Sequence, residues 1–505
     1  MASTNIESTG EQPRPLGRYR WWFRPAAVVL GLSTFALAEL VLVIAGVGRP
    51  EEYEDPFVGF SEIRPLFVSS DDGQQYEIAE SRRAYFALDS FAARKSEDAF
   101  RIFCLGGSTV QGRPYSRQTS FTTWLQLALQ TAEPGRTWEV INCGGVSYAS
   151  YRLLPILKEC LEYEPDLFVI CTGHNEFLED RTYPTLKQAS PFWKGAHEQL
   201  ARLRTYNVLR EAAQPVDGTT EGEGRAELKS EVDALLDYEE GLKAYERDDV
   251  WKAGIVEHFE QNLRGMIATL RRADIPAILV LPPSNLSDSP PFKSQHRSGL
   301  SESDRADWDQ LVAQAKEYVR SDPDRAIELM LAAAQIDDQY ALLHFQLGKC
   351  YEATERFGSA RKHHELAREL DVCPLRAVAA IEKATRAVAA DKGVPLVDAH
   401  ELLESRCPSG ILGERFLVDH VHPSIEGHQL IAETLLEDMV QQGWLESTSG
   451  WNEQTAEVYM RHLESLDDIY FARGQQRLNN LRAWSKGRAD GPPISEHPKM
   501  RTMGN

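Results

Sequence analysis

Arg101-Ile-Phe-Cys-Leu-Gly-Gly-Ser108-Thr109 is an apolar run that ends in two glycines and a serine. Four consecutive apolar residues, 102–105, suit a strand buried on both faces. The glycine pair lets the backbone turn tightly at the end of that strand. Ser108 is thereby delivered to the carboxyl end of a strand, where open parallel sheets bind their ligands.

The pattern repeats along the chain. Apolar runs at 102–105, 140–143, 167–172, 277–281 and 394–397 alternate with amphipathic helical stretches at 121–129, 151–161, 256–270 and 425–440. This alternation predicts an α/β fold with a parallel sheet covered by helices on both faces. Residues 214–225, polar and glycine-rich, read as a surface loop. Residues 307–374 read as helical with a repeat of about 34 residues. Ala326, Ala333, Ile336 and Asp337 precede Ala360, Ala367, Leu370 and Asp371 by that spacing. Leu347, Gly348, Tyr351, Ala360 and Ala367 are similar to the small and aromatic contact positions of a tetratricopeptide repeat, with Val372 in place of the usual closing proline. A pair of such repeats is too short to fold alone and is expected to pack on the main body. Residues 446–485 read as helical, with Trp451, Tyr459, Leu463, Leu466 and Tyr470 as a packing stripe and a Pro/Gly-rich tail from Lys486.

Near the N-terminus, residues 25–48 are apolar except for Glu39, long enough to cross a hydrocarbon core of ~30 Å as a helix. Arg14, Arg18, Arg20 and Arg24 precede the stretch, and Glu51, Glu52, Glu54 and Asp55 follow it. The positive-inside rule then keeps the N-terminus in the cytoplasm and exports the rest. Trp21, Trp22 and Phe23 suit an interfacial belt. A cleaved signal peptide competes, because Ala36-Leu37-Ala38 is an A-x-A site, although the apolar run continues beyond it. The expected division is a cytoplasmic tail and anchor at 1–50, a main domain at 51–300 and 375–445, a helical insert at 301–374, and a helical extension with a tail at 446–505.

A net charge of −21 without a basic stripe excludes a nucleic-acid surface. Seven cysteines are an odd number. Cys104, Cys143 and Cys171 read as small apolar residues at strand ends, and Cys350 with Cys373 is the pair open to bridging. No metal-ligand spacing is present, and no cofactor is expected.

Ser108 needs a base to become a nucleophile. His422, in Asp419-His-Val-His422-Pro-Ser, is the candidate, and Asp419 is placed to orient its imidazole. Charge developing on a carbonyl oxygen needs donors set in advance. The Ser108 N–H, the Asn175 amide in Gly-His-Asn175-Glu-Phe and an N–H from the 142–148 loop are the candidates. His174, Glu176, Lys293 and His296 are candidate cleft residues.

Gly-Gly-Ser108, Gly144-Gly145, Gly-His-Asn175 and Asp419-x-x-His422 together resemble, in order, the four blocks of the SGNH (GDSL-type) hydrolases. The resemblance covers about residues 57–300 and 375–445. It implies a flavodoxin-like α/β/α fold, a Ser-His-Asp triad acting on esters without a metal, and an oxyanion hole from the Ser, Gly and Asn blocks. The segments beginning at Asp55 and Pro282 are similar to an exported bacterial subgroup carrying tetratricopeptide repeats. Two departures stand out. The first block reads Gly-Gly-Ser-Thr in place of Gly-Asp-Ser-Leu, and the second-block spacing from Asn142 puts the oxyanion glycine at Ser147, with Gly144 and Gly145 slightly early; a backbone N–H can serve from either position, and Gly145 is the expected second-block donor. The expected function is an anchored esterase acting outside the cytoplasmic membrane on a carbohydrate, lipid or small-molecule ester. An O-acyltransferase with the same triad, or a scaffold whose insert recruits a protein partner, are the alternatives.

Overall fold

The computed structural model describes residues 23–45, 47, 55–181, 203–213, 226–237, 240–448 and 450–490. The expected loop at 214–225, the arginines at 14, 18 and 20, Trp21 and Trp22, the acidic residues at 51, 52 and 54, and the tail beyond 490 lie outside them. The chain divides into two compact units, 1–52 with 187–223, and 53–186 with 224–505.

In the first unit, helix Phe23–Ala45 carries an uncovered apolar surface, and its Pro25–Ala45 stretch has a mean hydropathy of 2.4. Among the described residues it is the one helix long and apolar enough to cross a membrane. Glu39, the single acid interrupting it, accepts from the N–H groups of Arg204 (2.5 Å) and Thr205 (2.9 Å) and from the Thr205 hydroxyl (2.8 Å). It thus satisfies the first free N–H groups of helix Arg204–Ala213. A contact across 165 residues of sequence has no local signature.

The second unit is built on five parallel strands, Ala99–Gly106, Thr137–Gly144, Leu167–Cys171, Ala277–Leu281 and Leu396–Asp398. Their spatial order is second, first, third, fourth, fifth, a doubly wound arrangement in which helices cover both faces. Alternate residues feed two cores. Phe103, Leu105, Ile141, Phe168, Ile170 and Leu279 lie against helices Ser150–Cys160, Asp249–Arg272 and Ala379–Lys392. Ile102, Cys104, Val140, Val169, Ile278 and Val280 lie against Phe121–Ala132 and Ile425–Gln441. Gly106 pairs with both Gly144 and Cys171, so three strands end level and their loops share one rim.

Between the fourth strand and helix Ala379–Lys392 stand four helices, Glu302–Tyr318, Pro323–Ile336, Ala341–Ala353 and Phe357–Glu369, each packed on the next in sequence. They are tied to the body by polar contacts. The Asp371 carboxylate accepts from the N–H groups of Phe292 (2.7 Å) and Lys293 (3.0 Å), and Ser287 donates to Glu352 at 2.8 Å. None of the seven cysteines is in a disulfide, and all are buried. Cys350 belongs to the core of the helical insert and Cys373 to a separate cluster with Tyr245 and Phe292, which is why the two are not bridged.

The C-terminal stretch read as one helical region is two helices, Trp451–Ser465 and Asp468–Asp490, the second running past the residue at which the tail was expected. The Asp467 side chain accepts from the Tyr470 N–H at 2.7 Å and starts the second helix. Tyr459 donates its hydroxyl to the Trp124 carbonyl at 3.0 Å, packing the first helix on the body.

Candidate active site

The two glycines before Ser108 are required by close approach. A Cβ on Gly106 would stand 2.1 Å from the Cys171 carbonyl oxygen, and one on Gly107 would stand 2.5 Å from the Asn175 amide nitrogen. Any larger residue would push the turn away from the neighbouring strand ends. Ser108 opens the short helix Ser108–Gln111. Asn142, fully buried, holds that helix by donating to the Val110 carbonyl at 2.7 Å.

Asp419 and His422 reach Ser108 from a loop 314 residues away. Asp419 Oδ1 accepts from the N–H groups of Val421 and His422, each at 2.9 Å, which fixes a tight turn. Asp419 Oδ2 lies 2.7 Å from His422 Nδ1, and His422 Nε2 lies 2.7 Å from Ser108 Oγ. With Nδ1–H donating to the carboxylate, Nε2 presents a lone pair to the serine hydroxyl. Ser424 follows, caps helix Ile425–Gln441 by accepting from Gly427 N–H, and makes the loop the lead-in to a fixed helix.

Burial acts to raise the Asp419 carboxyl. The neighbouring His422 and His420 and its hydrogen bonds outweigh that and hold it well below the ordinary carboxylate range. The arrangement can therefore pull a proton from Ser108 while a fixed negative charge steadies the resulting imidazolium.

Asn175 Nδ2 donates one hydrogen to the Tyr148 carbonyl at 3.0 Å, which leaves its second hydrogen open. Gly145 does not offer a donor. Its N–H is spent on the Gly106 carbonyl at 2.9 Å, continuing the parallel ladder for one residue beyond the strand. The Val146 N–H is likewise spent, on the Tyr85 carbonyl. Ser147 has φ of 66°, a left-handed conformation that favours glycine, and among the described residues its N–H has no hydrogen-bond partner.

Three of the four expected cleft residues are engaged elsewhere. The buried Glu176 carboxylate accepts from both the N–H and the hydroxyl of Ser150 at 2.9 Å, capping helix Ser150–Cys160. Lys293 Nζ donates to the carbonyls of Leu242 and Tyr245. His296 pairs with Asp337 at 2.7 Å and packs against Trp308 and Tyr340 in the helical insert. His174 stays near the triad. Its Nδ1 accepts from the Ala377 N–H at 3.1 Å, while its Nε2 is buried without a partner. Burial, then its closeness to the imidazoles of His420 and His422, hold it far below the ordinary histidine range, so it is neutral.

The sequence reading missed a supporting layer. Asn285 donates its side-chain amide to the Asp419 carbonyl at 3.0 Å and its N–H to the His420 carbonyl at 2.9 Å. Buried Arg376 in turn donates to the carbonyls of Asn285 (2.7 Å) and Ser289 (2.8 Å). The signal available was position, because Pro282-Pro-Ser-Asn285 follows the fourth strand directly at the same rim.

The same burial sets the acid stability of the fold. Burial first of all pushes His400, His420 and His428 down to about 3, 4 and 3. Unfolding returns each to ~6.5, so between there and about 4 the unfolded chain binds more protons and stability falls with falling pH. Asp371, held up at about 6 by burial, has the opposite sign. His174 and His363, the latter lowered to about 4, add to the histidine side, so the histidines outweigh this aspartate and stability is expected to fall between pH 7 and pH 5. Urea unfolding midpoints at pH 7 and pH 5 measure this; equal midpoints would show that these imidazoles are not buried as neutral groups.

No family model matches the chain, and no curated protein does. Among solved structures it is similar to a protein described as a GDSL-like lipase from Parabacteroides merdae, at 12% identity and a TM-score of 0.31, over 68% of this chain and 97% of that one. It is also similar to an acetylxylan esterase from Geobacillus stearothermophilus, at 12% and 0.31, over 69% and 96%. A lipase/acylhydrolase from Enterococcus faecalis matches at 13% and 0.30, over 68% and 96%. At such scores the chemistry rests on the chain's own side chains. Solved structures to which this chain is similar thus include a GDSL-like lipase and an acetylxylan esterase.

Proposed function

We propose that the chain is a serine esterase of the SGNH (GDSL) type, tethered to a membrane by Phe23–Ala45 with its second unit outside the cytoplasm. The observation that carries this reading is the unbroken relay Asp419–His422–Ser108, with both links at 2.7 Å, at the carboxyl rim of a flavodoxin-ordered sheet. Ser108 Oγ attacks the ester carbonyl carbon as His422 Nε2 takes its proton. The imidazolium returns that proton to the departing alkoxide, leaving an acyl-serine. Water, deprotonated by His422, then attacks the acyl carbon, and Ser108 leaves with the proton. The oxyanion formed in each step is held by the N–H of Ser108, the free hydrogen of Asn175 and the N–H of Ser147, with Ser147 taking the place that Gly145 cannot fill.

Asn175→Ala is expected to lower kcat by ~10²–10³, the scale of one oxyanion donor. A rate within a few fold of wild type would remove Asn175 from the mechanism. We read the four-helix insert as a pair of tetratricopeptide-like hairpins. Supporting this are the complete burial of Ala326, Ala333 and Ala360, and Gly348, where a Cβ would stand 2.5 Å from the His364 ring. Its role is to brace the 282–296 segment and, as an accessory, to offer a surface to a protein partner.

The test is hydrolysis of p-nitrophenyl esters from acetate to octanoate by the full chain in detergent. Turnover with an acyl-length preference is the expected result. Acyl transfer to an added sugar or glycerol in preference to water would favour the acyltransferase reading, and no turnover of either kind would remove both.

A further inference from the structure

Arg82 is only 9% exposed, yet its guanidinium makes no hydrogen bond and no ion pair with any described residue. A guanidinium carries five N–H donors, and a buried one normally directs them at partners. Two other buried arginines of the same unit behave that way. Arg101 donates to Glu139 and to the carbonyls of Tyr163 and Ala92. Arg152 donates to Glu179 and to the carbonyls of Lys229, Ser230 and Glu231. Arg82 instead lies against two rings, its guanidinium carbon 5.4 Å from the centre of Phe86 and 5.8 Å from that of Tyr148. The ring faces attract the charge but leave its in-plane N–H groups unsatisfied. The Tyr148 hydroxyl is buried without a partner as well.

Both residues line one pocket of about 350 Å³, counting its mouth, whose apolar walls are Phe60, Ile63, Pro155 and Ile156. The other charges around it are engaged. Arg152 is spent as described, and Arg64 pairs with Glu62 at 2.8 Å. Glu159 turns both oxygens to the Leu66 N–H, at 2.9 and 2.7 Å, and one of them also to the Phe67 N–H at 2.8 Å. One unmatched cation, one orphan hydroxyl and apolar walls suit a single negative charge on a hydrocarbon body. A carboxylate fits the planar fork of one arginine. A phosphate, at a charge of about −2, would leave a surplus beside Glu62 and Glu159.

We propose that Arg82 and Tyr148 form a binding pocket for a short-chain monocarboxylate. The pocket backs onto the candidate active site through Tyr148, whose carbonyl accepts from Asn175 at 3.0 Å. The Tyr148 ring lies so close to Gly145 that a Cβ there would stand 2.6 Å from it. An occupant is therefore felt by the loop that carries Ser147. On the esterase reading the released acid belongs to the same ligand class, but the pocket does not depend on that reading.

The test is calorimetric titration of the full chain in detergent with sodium butyrate and sodium hexanoate, beside butyramide and inorganic phosphate at matched ionic strength. The carboxylates are expected to bind and the neutral amide is not. R82Q is expected to weaken carboxylate binding by roughly 10- to 100-fold, the scale of a hydrogen bond to a charged group. Ile63 is 68% exposed, so I63E sets a like charge at the pocket without disturbing the core, and it too is expected to weaken binding. If R82Q fails to fold, I63E decides. No binding by the wild type, or an affinity that survives R82Q and I63E, overturns the proposal; one that survives them but falls in N175A places the carboxylate at Ser108. Phosphate bound more tightly than butyrate overturns the carboxylate assignment. Binding lost in R82Q and I63E by a protein that cleaves no ester upholds the pocket and removes the esterase reading alone.

Discussion

Replacing Ser108 by alanine is expected to lower kcat for ester hydrolysis by ~10⁶ while leaving the thermal midpoint within a few degrees of wild type. The magnitude is that of removing the serine from a cooperating triad. Its source is the geometry described above. Ser108 Oγ is the group that would form the acyl bond in the proposed mechanism, and among the described residues it is the one hydroxyl hydrogen-bonded to His422, at 2.7 Å. The fold is spared because Ser108 makes its backbone contacts, to Gly112 and Arg113, through its carbonyl and not its side chain. Loss of turnover with loss of folding would trace the effect to the strand end instead of to the nucleophile.

Glu179→Ala is expected to destabilise the second unit by ~3–5 kcal/mol, the scale of leaving a buried charge unpaired. Glu179 and Arg152 are each 2% exposed and are joined by two bonds of 2.7 Å. The carboxylate also accepts from the Tyr151 hydroxyl (2.6 Å) and from the Asp233 N–H (3.0 Å). Burial acts to raise the Glu179 carboxyl, yet the bond and the charge of Arg152 hold it below the ordinary range. Arg152→Met/Glu179→Met should cost less than Glu179→Ala alone, because no lone charge remains. Chemical denaturation of the three proteins measures this. A double variant less stable than Glu179→Ala would contradict it. Glu179 sits four residues after Asn175, and helix Ser150–Cys160 begins just after the Tyr148 carbonyl that Asn175 contacts, so the pair also braces the Asn175 side of the candidate site.

The central sheet was legible because its strands are buried on both faces and therefore appear as unbroken apolar runs, with boundaries displaced by only a few residues. Ser108, Asp419 and His422, the residues of the proposed triad, could be singled out because a serine nucleophile with a histidine base calls for those residue types on loops at one rim, whatever the distance between them in sequence. Gly145 was not, because whether an N–H is free depends on whether the parallel ladder stops at Gly144 or continues one residue further, and no residue type encodes that. Ser147 was visible in the spacing, but its left-handed backbone was not. Glu176, Lys293 and His296 are polar residues beside the rim whose partners, Ser150, Leu242 and Asp337, are remote in sequence. Nothing local distinguishes a carboxylate that caps a helix from one that faces substrate.

The central claim is that Ser108 is a nucleophile activated by His422. It is tested most directly by incubating the folded full chain with diethyl p-nitrophenyl phosphate and mapping the adduct by peptide mass spectrometry, beside His422→Gln. The account predicts one fast modification, on Ser108, slowed by orders of magnitude in the variant. An unmodified Ser108 in folded protein, or equal labelling rates in both, would contradict it.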